Sequence, residues 1–330
     1  MLRRISCTLA FVLFCASLAA ACNIPVFRYA LERWHPDKTE IIAFVDDQTA
    51  GADQAFLQSL NDASSKSDSA ANVELLRVKP DQPGDHAELW KTLTADATPT
   101  LPYFVARAKV KDRPVVGWHG SGVQAVKDAK LLNSPVRTEL HTRLLKGDSI
   151  VWLFLKSKDK DRNASVRQVL TDEFMKLEKE LKLPEGIGEP GSELYADIPV
   201  MLNFSILEID PADKSEIYLT QLLTGFHPKA AKADWPIVAP VFGRGRALEA
   251  LSGENLDGKV VKELTEFLCG ACSCKVKGLN PGFDLLMSAS WDDDLFGVDG
   301  ERPNDNASSD ETPLPVLISI PAGRKKKQRN

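Results

Sequence analysis

Three thiols stand close together in the string CGACSC, at Cys269, Cys272 and Cys274. Sulfur at this density suits three kinds of chemistry. The C-x-x-C pair Cys269-Gly270-Ala271-Cys272 could cycle between dithiol and disulfide, two of the thiols could close a structural disulfide in an oxidising compartment, or soft thiolates joined by Cys22 could hold Cu(I) or Zn(II). The surrounding pattern weighs these differently. Val260, Val261, Leu264 and Leu268 predict a helix that ends where the cysteines begin. A nucleophilic thiol is favoured at a helix amino end, where partial positive charge stabilises thiolate; at a carboxyl end the charge is negative and the thiol stays protonated. A structural disulfide is therefore expected ahead of redox or metal chemistry. No cofactor is expected, with copper or zinc as the alternative.

The remaining chemistry-bearing residues form no catalytic set. The five histidines, at 35, 86, 119, 141 and 227, include no H-E-x-x-H, and neither a phosphate-binding glycine loop nor a G-x-S-x-G elbow occurs. His119, beside Trp118 near a strand end, is the one histidine to inspect as a ligand or acid-base group. Arg244 and Arg246, in the turn GRGR, could grip an anionic partner group, although a hairpin turn needs those glycines regardless. Arg28 and Arg33 are expected on the solvent side of a short helix. With 41 Lys and Arg against 46 Asp and Glu, the net charge of −5 excludes a basic nucleic-acid binder. An enzyme is the less expected outcome.

Residues 1–21 carry Arg3 and Arg4, an apolar run from Leu9 to Leu18, and Ala19-Ala20-Ala21 before Cys22. That is the pattern of a secretory signal peptide. Small residues followed by Cys also resemble the lipobox of bacterial lipoproteins, which implies diacylation of the Cys22 thiol and attachment to the cell envelope. Cleavage at an A-x-A site, leaving a soluble periplasmic or secreted protein, is the alternative.

The elements that must position these residues follow a repeated order. Residues 22–40 contain a helix with Phe27, Ala30, Leu31 and Trp34 on one face, after Pro25. Residues 41–147 then read β-α-β-α-β-β-α: strands at Ile41–Val45 and Val73–Val78, a hairpin from TPTLPYFVARA to PVVGWHG, and a closing helix started by Ser134-Pro135. Residues 148–291 repeat that order, with strands at Ile150–Leu155 and Ile198–Ile209 and a hairpin turning at Gly243-Arg244-Gly245. Trp34, Trp90, Trp152 and Trp235 fall on core faces.

This order resembles the thioredoxin fold, so the expected class is α/β with two tandem thioredoxin-like units. The resemblance implies a cis-proline before each hairpin, at Pro99 and Pro236. It also implies a thiol pair after the first strand of each unit. The chain has Asp46-Asp47-Gln48-Thr49 and Lys156-Ser157-Lys158-Asp159 there instead, without sulfur.

The strings CNIPVFRYALERW, PVFGRGRAL and CGACSCKVKGLNPGFDLLMSASW are similar to those of a family of exported bacterial proteins with no assigned activity. That likeness implies export and a thioredoxin-like body. Residues 292–330 are expected to be a disordered acidic tail with a basic end, since 292–313 hold eight acids and one Arg. The expectation that results is a non-catalytic, envelope-anchored binding or scaffolding protein whose partner is another envelope protein. A membrane is met through the Cys22 lipid, and no nucleic acid is involved. The alternatives are a thiol-redox protein using the CGACSC cluster or a copper- or zinc-binding protein.

Overall fold

The computed structural model describes residues 23–65, 71–95, 98–110, 113–272, 276–298 and 300–303. The chain opens with α1 (Val26–Arg33), β1 (Thr39–Phe44), α2 (Asp47–Ala52), α3 (Gln54–Ser65), β2 (Val73–Val78), α4 (Ala87–Leu93), β3 (Tyr103–Val110), β4 (Arg113–Ser121), α5 (Gly122–Asp128) and α6 (Pro135–Leu145). It continues with β5 (Ile150–Leu155), α7 (Lys160–Glu180), β6 (Phe204–Ile209), α8 (Ile217–Phe226), α9 (Pro228–Lys232) and β7 (Ile237–Phe242). It ends with β8 (Arg246–Ala247), β9 (Leu251–Ser252), α10 (Gly258–Cys269), β10 (Phe283–Asp284) and α11 (Trp291–Phe296). The protein is α/β. Among the described residues no helix is long and apolar enough to cross a membrane.

Both sheets have one connectivity. The first runs β2-β1-β3-β4, and the second runs β10-β8-β7-β5-β6 with β9 paired to the far end of β7. In each, the first two strands are parallel and the hairpin returns antiparallel beside the first strand. Alternation along the strands gives every sheet two apolar faces, as helices on both sides require. Ile41 and Ala43 point into the large core while Ile42 and Phe44 point to a smaller one; Val151, Leu153 and Leu155 likewise oppose Ile150, Trp152 and Phe154.

The large core is continuous between the sheets, and the helices within it are exchanged. Closing helix α6 of the first repeat packs on β5 and β6, whereas α8 of the second packs on β4. Tyr218, Leu219, Leu222 and Leu223 of α8 are all buried in that shared layer. Gly117 admits α8 closely: a Cβ there would lie 2.6 Å from Tyr218 Cε2. The join is also polar. Ser134 starts α6 as expected, but the cap comes from the other repeat, since Glu216 accepts from Val136 N (2.8 Å) and Ser134 Oγ (2.7 Å). Arg137, wholly buried, donates to the carbonyls of Leu131, Lys130 and Leu286, and burial lowers its pKa to about 10.

Several expectations are corrected. The cis bond is Leu101–Pro102, directly before β3; neither Pro99 nor Pro236 follows a cis bond. The strand expected from Ile198 begins only at Phe204, because residues 182–203 form an irregular segment rich in glycine and proline. The return strand after GRGR is split into β8 and β9. The acidic tail does not begin at 292: α11 docks through Trp291 and Leu295, with the Trp291 ring edge-on to His141 at 4.6 Å.

Candidate functional site

The three strings that carry the family resemblance meet at α1. The segment entering this helix pairs with the end of α10: Pro25 bridges Ala271 antiparallel, Val26 N donates to Gly270 O (3.0 Å), and Cys272 N donates to Ile24 O (2.9 Å). Cys269 is the last residue of α10, at the carboxyl end as expected, and Cys269 and Cys272 are 3% and 2% exposed. Burial pushes the Cys269 thiol up to about 12, so the thiolate form is scarce at neutral pH. No disulfide joins Cys269 to Cys272. Cys22 and Cys274 lie outside the described residues. Among the described residues no group of three His, Cys, Asp or Glu side chains is placed to hold a metal.

Helix α1 is buried on every side, which an eight-residue amphipathic stretch does not announce. Val26, Phe27, Tyr29 and Ala30 pack with α10 and β7 in the second core, while Leu31 reaches the shared one. Its polar side is equally covered. Arg28, expected in solvent, is 1% exposed; its Nε donates to Glu32 Oε1 (3.0 Å) and its Nη2 to Ala196 O (2.5 Å). Glu32 Oε1 also accepts Tyr195 N and Ala196 N (3.2 Å each), and Arg33 donates to Glu193 O (2.6 Å). The charges of α1 thus serve as the template on which the irregular segment 182–203 is laid. The arginine face expected in solvent meets protein instead.

The GRGR turn closes over the other end of the same helix. Arg244 Nε donates to Leu31 O (2.7 Å) and Nη2 to Glu32 O (2.9 Å), satisfying carbonyls that a helix end leaves open. Its Nη1 pairs with Asp292 of α11 at 2.7 Å. Arg246 donates to the carbonyls of Pro281, Asn280 and Gly282 and pairs with Asp284 at 3.1 Å. Both arginines are buried, at 4% and 5%, and each is held by groups of this same chain, so they act as internal clamps. The glycines are required by shape. Gly243 has φ +58° and a Cβ there would stand 2.8 Å from that of Ala30; Gly245 has φ +87° and would meet Met287 Cγ at 2.7 Å.

The two places where a thiol enzyme of this connectivity would act are capped helix starts. At the first, Asp46 Oδ1 accepts Thr49 N (2.7 Å) and Thr49 Oγ1 accepts Asp46 N (3.0 Å), a reciprocal cap. At the second, Asp159 Oδ1 accepts the N–H groups of Asp161 and Arg162 (3.0 Å each). These positions bind their own backbone. His119 lies exposed on β4, and its Nδ1 is 2.6 Å from the Tyr103 hydroxyl. Beside the second clamp, a polar cleft of about 460 Å³ is lined by Asp37, Lys38, Glu74, Lys109, Arg246 and Asn280. Its charges pair with one another or with neighbours: Lys109 meets Glu40 at 3.1 Å and Glu74 at 3.7 Å.

Sequence reasoning did not find Glu32, Glu216, Arg137 or Asp284, the buried groups that organise these junctions. A signal existed for Glu32 alone, as the i, i+4 partner of Arg28. No protein-family model matches this chain, and no curated protein matches it.

Proposed function

We propose that this chain is an exported, envelope-anchored binding or scaffolding module of two thioredoxin-like units without thiol chemistry. The carrying observation is the Asp46–Thr49 cap: the helix start that would activate a thiol holds a carboxylate bonded to its own backbone. Two further points support the reading. Both sheets share one strand order, which fits two units of one kind, and Cys269 sits buried at a helix carboxyl end with its thiol pushed up to about 12. Kinship with the exported bacterial family, the lipid on Cys22 and a partner within the envelope belong to the same proposal.

The test is a disulfide-reductase assay on insulin, run beside Cys269→Ser and Cys272→Ser. The expected rate is that of the uncatalysed control for all three proteins. A rate above control that falls in either variant would replace this reading with thiol-redox function. Metal analysis after purification under reducing, metal-replete conditions covers the other alternative. Stoichiometric copper or zinc lost on Cys272→Ser and Cys274→Ser would move the protein into metal handling.

A further inference from the structure

The chain is tied to the body as far as Ser288, and then its attachment changes in kind. Asn72 N donates to Met287 O (3.2 Å), Asn72 Oδ1 accepts from Met287 N (2.6 Å), Arg137 donates to Leu286 O (3.0 Å), and the Ser288 hydroxyl donates to Leu132 O. Beyond this point, among the described residues, the backbone of α11 bonds only within the helix, Asp294 N to Ser290 O and Gly297 N to Asp293 O. Its hold on the body is through side chains. A helix of six residues does not persist in water on its own, so the seat keeps it folded.

Trp291 and Leu295, four positions apart, are both buried, and the Trp291 ring stands edge-on to that of His141 on α6. Around these two anchors lie polar pairs that stay partly wet. The Asp292 side chain, 26% exposed, meets Arg244 at 2.7 Å, and that of Asp294, 37% exposed, meets His141 Nε2 at 3.1 Å. The Arg244 guanidinium also lies 6.0 Å from the Phe296 ring centre. Buried apolar anchors inside a partly hydrated polar ring are the anatomy of a docking interface. The fit is incomplete, because the Trp291 indole N–H is buried with no acceptor among the described residues. Helix α11 thus sits as a tethered ligand would, and it leaves room for a better one.

We infer that the seat formed by His141 of α6 and Arg244 of the GRGR turn is a docking site for a helix of another protein, and that α11 holds it in cis until such a helix displaces it. The incoming helix carries a large aromatic residue, an aliphatic residue four positions on, and acidic residues between them. Charge complementarity selects that occupant: a guanidinium and an imidazole flank the seat, and α11 meets both with carboxylates. This rests on the binding-module reading and names the partner chemistry for it.

The probe is a fluorescein-labelled peptide of residues 289–298, ASWDDDLFGV, and the receptor is the full chain carrying Trp291→Ala and Leu295→Ala, which empties the seat in cis. Anisotropy should show saturable binding to this variant and none for the peptide with Trp291→Ala. Binding to the wild-type chain should be weaker by about tenfold or more, since its tethered helix competes. No binding by a variant with the wild-type circular dichroism spectrum and melting midpoint overturns the inference. Hydrogen exchange on the wild-type chain gives a test that does not depend on how the variant folds: the Asp294 and Gly297 amides should exchange by local opening, faster than those of β5, and equal protection overturns the inference. A wild-type dimer that Trp291→Ala dissolves would also overturn it, by giving the seat to a second copy. Peptide binding is read independently of the insulin assay, so loss of this site and loss of the non-thiol reading are separate results.

Discussion

Arg28 and Glu32 face each other across one turn of α1, Nε to Oε1 at 3.0 Å, with side chains 1% and 0% exposed. Burial draws the Arg28 pKa below its ordinary value, an effect opposed by Glu32, which accepts from Arg28 and from the backbone of residues 195 and 196. Glu32→Ala leaves a cation buried with one carbonyl partner and should destabilise the protein by about 3–5 kcal/mol. Urea unfolding measures this. The double variant Arg28→Met, Glu32→Leu should recover most of the loss, since apolar replacements remove both desolvated charges.

Arg244 closes the carboxyl end of α1, so Arg244→Ala should uncap two buried carbonyls and release Asp292. The expected loss is about 3 kcal/mol. Asp292→Asn should cost under about 1 kcal/mol, because Asp292 is partly exposed and the helix contacts of Arg244 remain. Equal losses in the two variants would mean that the ion pair, and not the cap, fixes the turn.

Cys269 should resist thiol reagents in the folded state. With its pKa near 12, thiolate is on the order of one part in ten thousand at pH 8. Labelling with a disulfide reagent should therefore track unfolding. The pH dependence has a definite sign: the folded pKa lies above the ordinary value of 9.0, so the associated stability is present below about pH 9 and is lost as pH rises toward 12. Cys269→Ala should flatten that alkaline decline.

The exchanged helices make a fourth test. Gly117→Ala drives a methyl into the Tyr218 ring and should destabilise by about 1–3 kcal/mol. Because α8 belongs to the second repeat and β4 to the first, the loss should appear in both. Hydrogen exchange would show protection falling together in β1 and β5. A loss confined to residues 39–147 would mean that the two sheets unfold independently.

Local pattern made much of this fold legible. The continuous apolar run Ile150–Leu155 is a strand buried on both faces, Ser134-Pro135 starts a helix, and GRGR turns a hairpin whose glycines need positive φ. What failed depends on distant covering. A helical wheel assigns Arg28 to the polar side correctly but says nothing of Ala196, which lies far along the chain and covers it. In TPTLP two prolines precede one strand, and only tertiary context selects Pro102 over Pro99 for the cis bond. The acids 292–294 hid a four-residue apolar spacing, Trp291 to Leu295, long enough for one docking turn.

Helix α1 precedes the first repeat in the chain but is seated in the second. The residues that surround it, Ala196, Val238, Phe242, Arg244, Leu268 and Gly270, are all synthesised after the whole first repeat has emerged. The second repeat is thus discontinuous in the gene, with the first inserted between its opening helix and the rest. Closing so wide a loop costs more chain entropy than pairing neighbours in sequence and slows folding. The amino-terminal helix and the second repeat are therefore one folding unit although the whole first repeat lies between them in sequence.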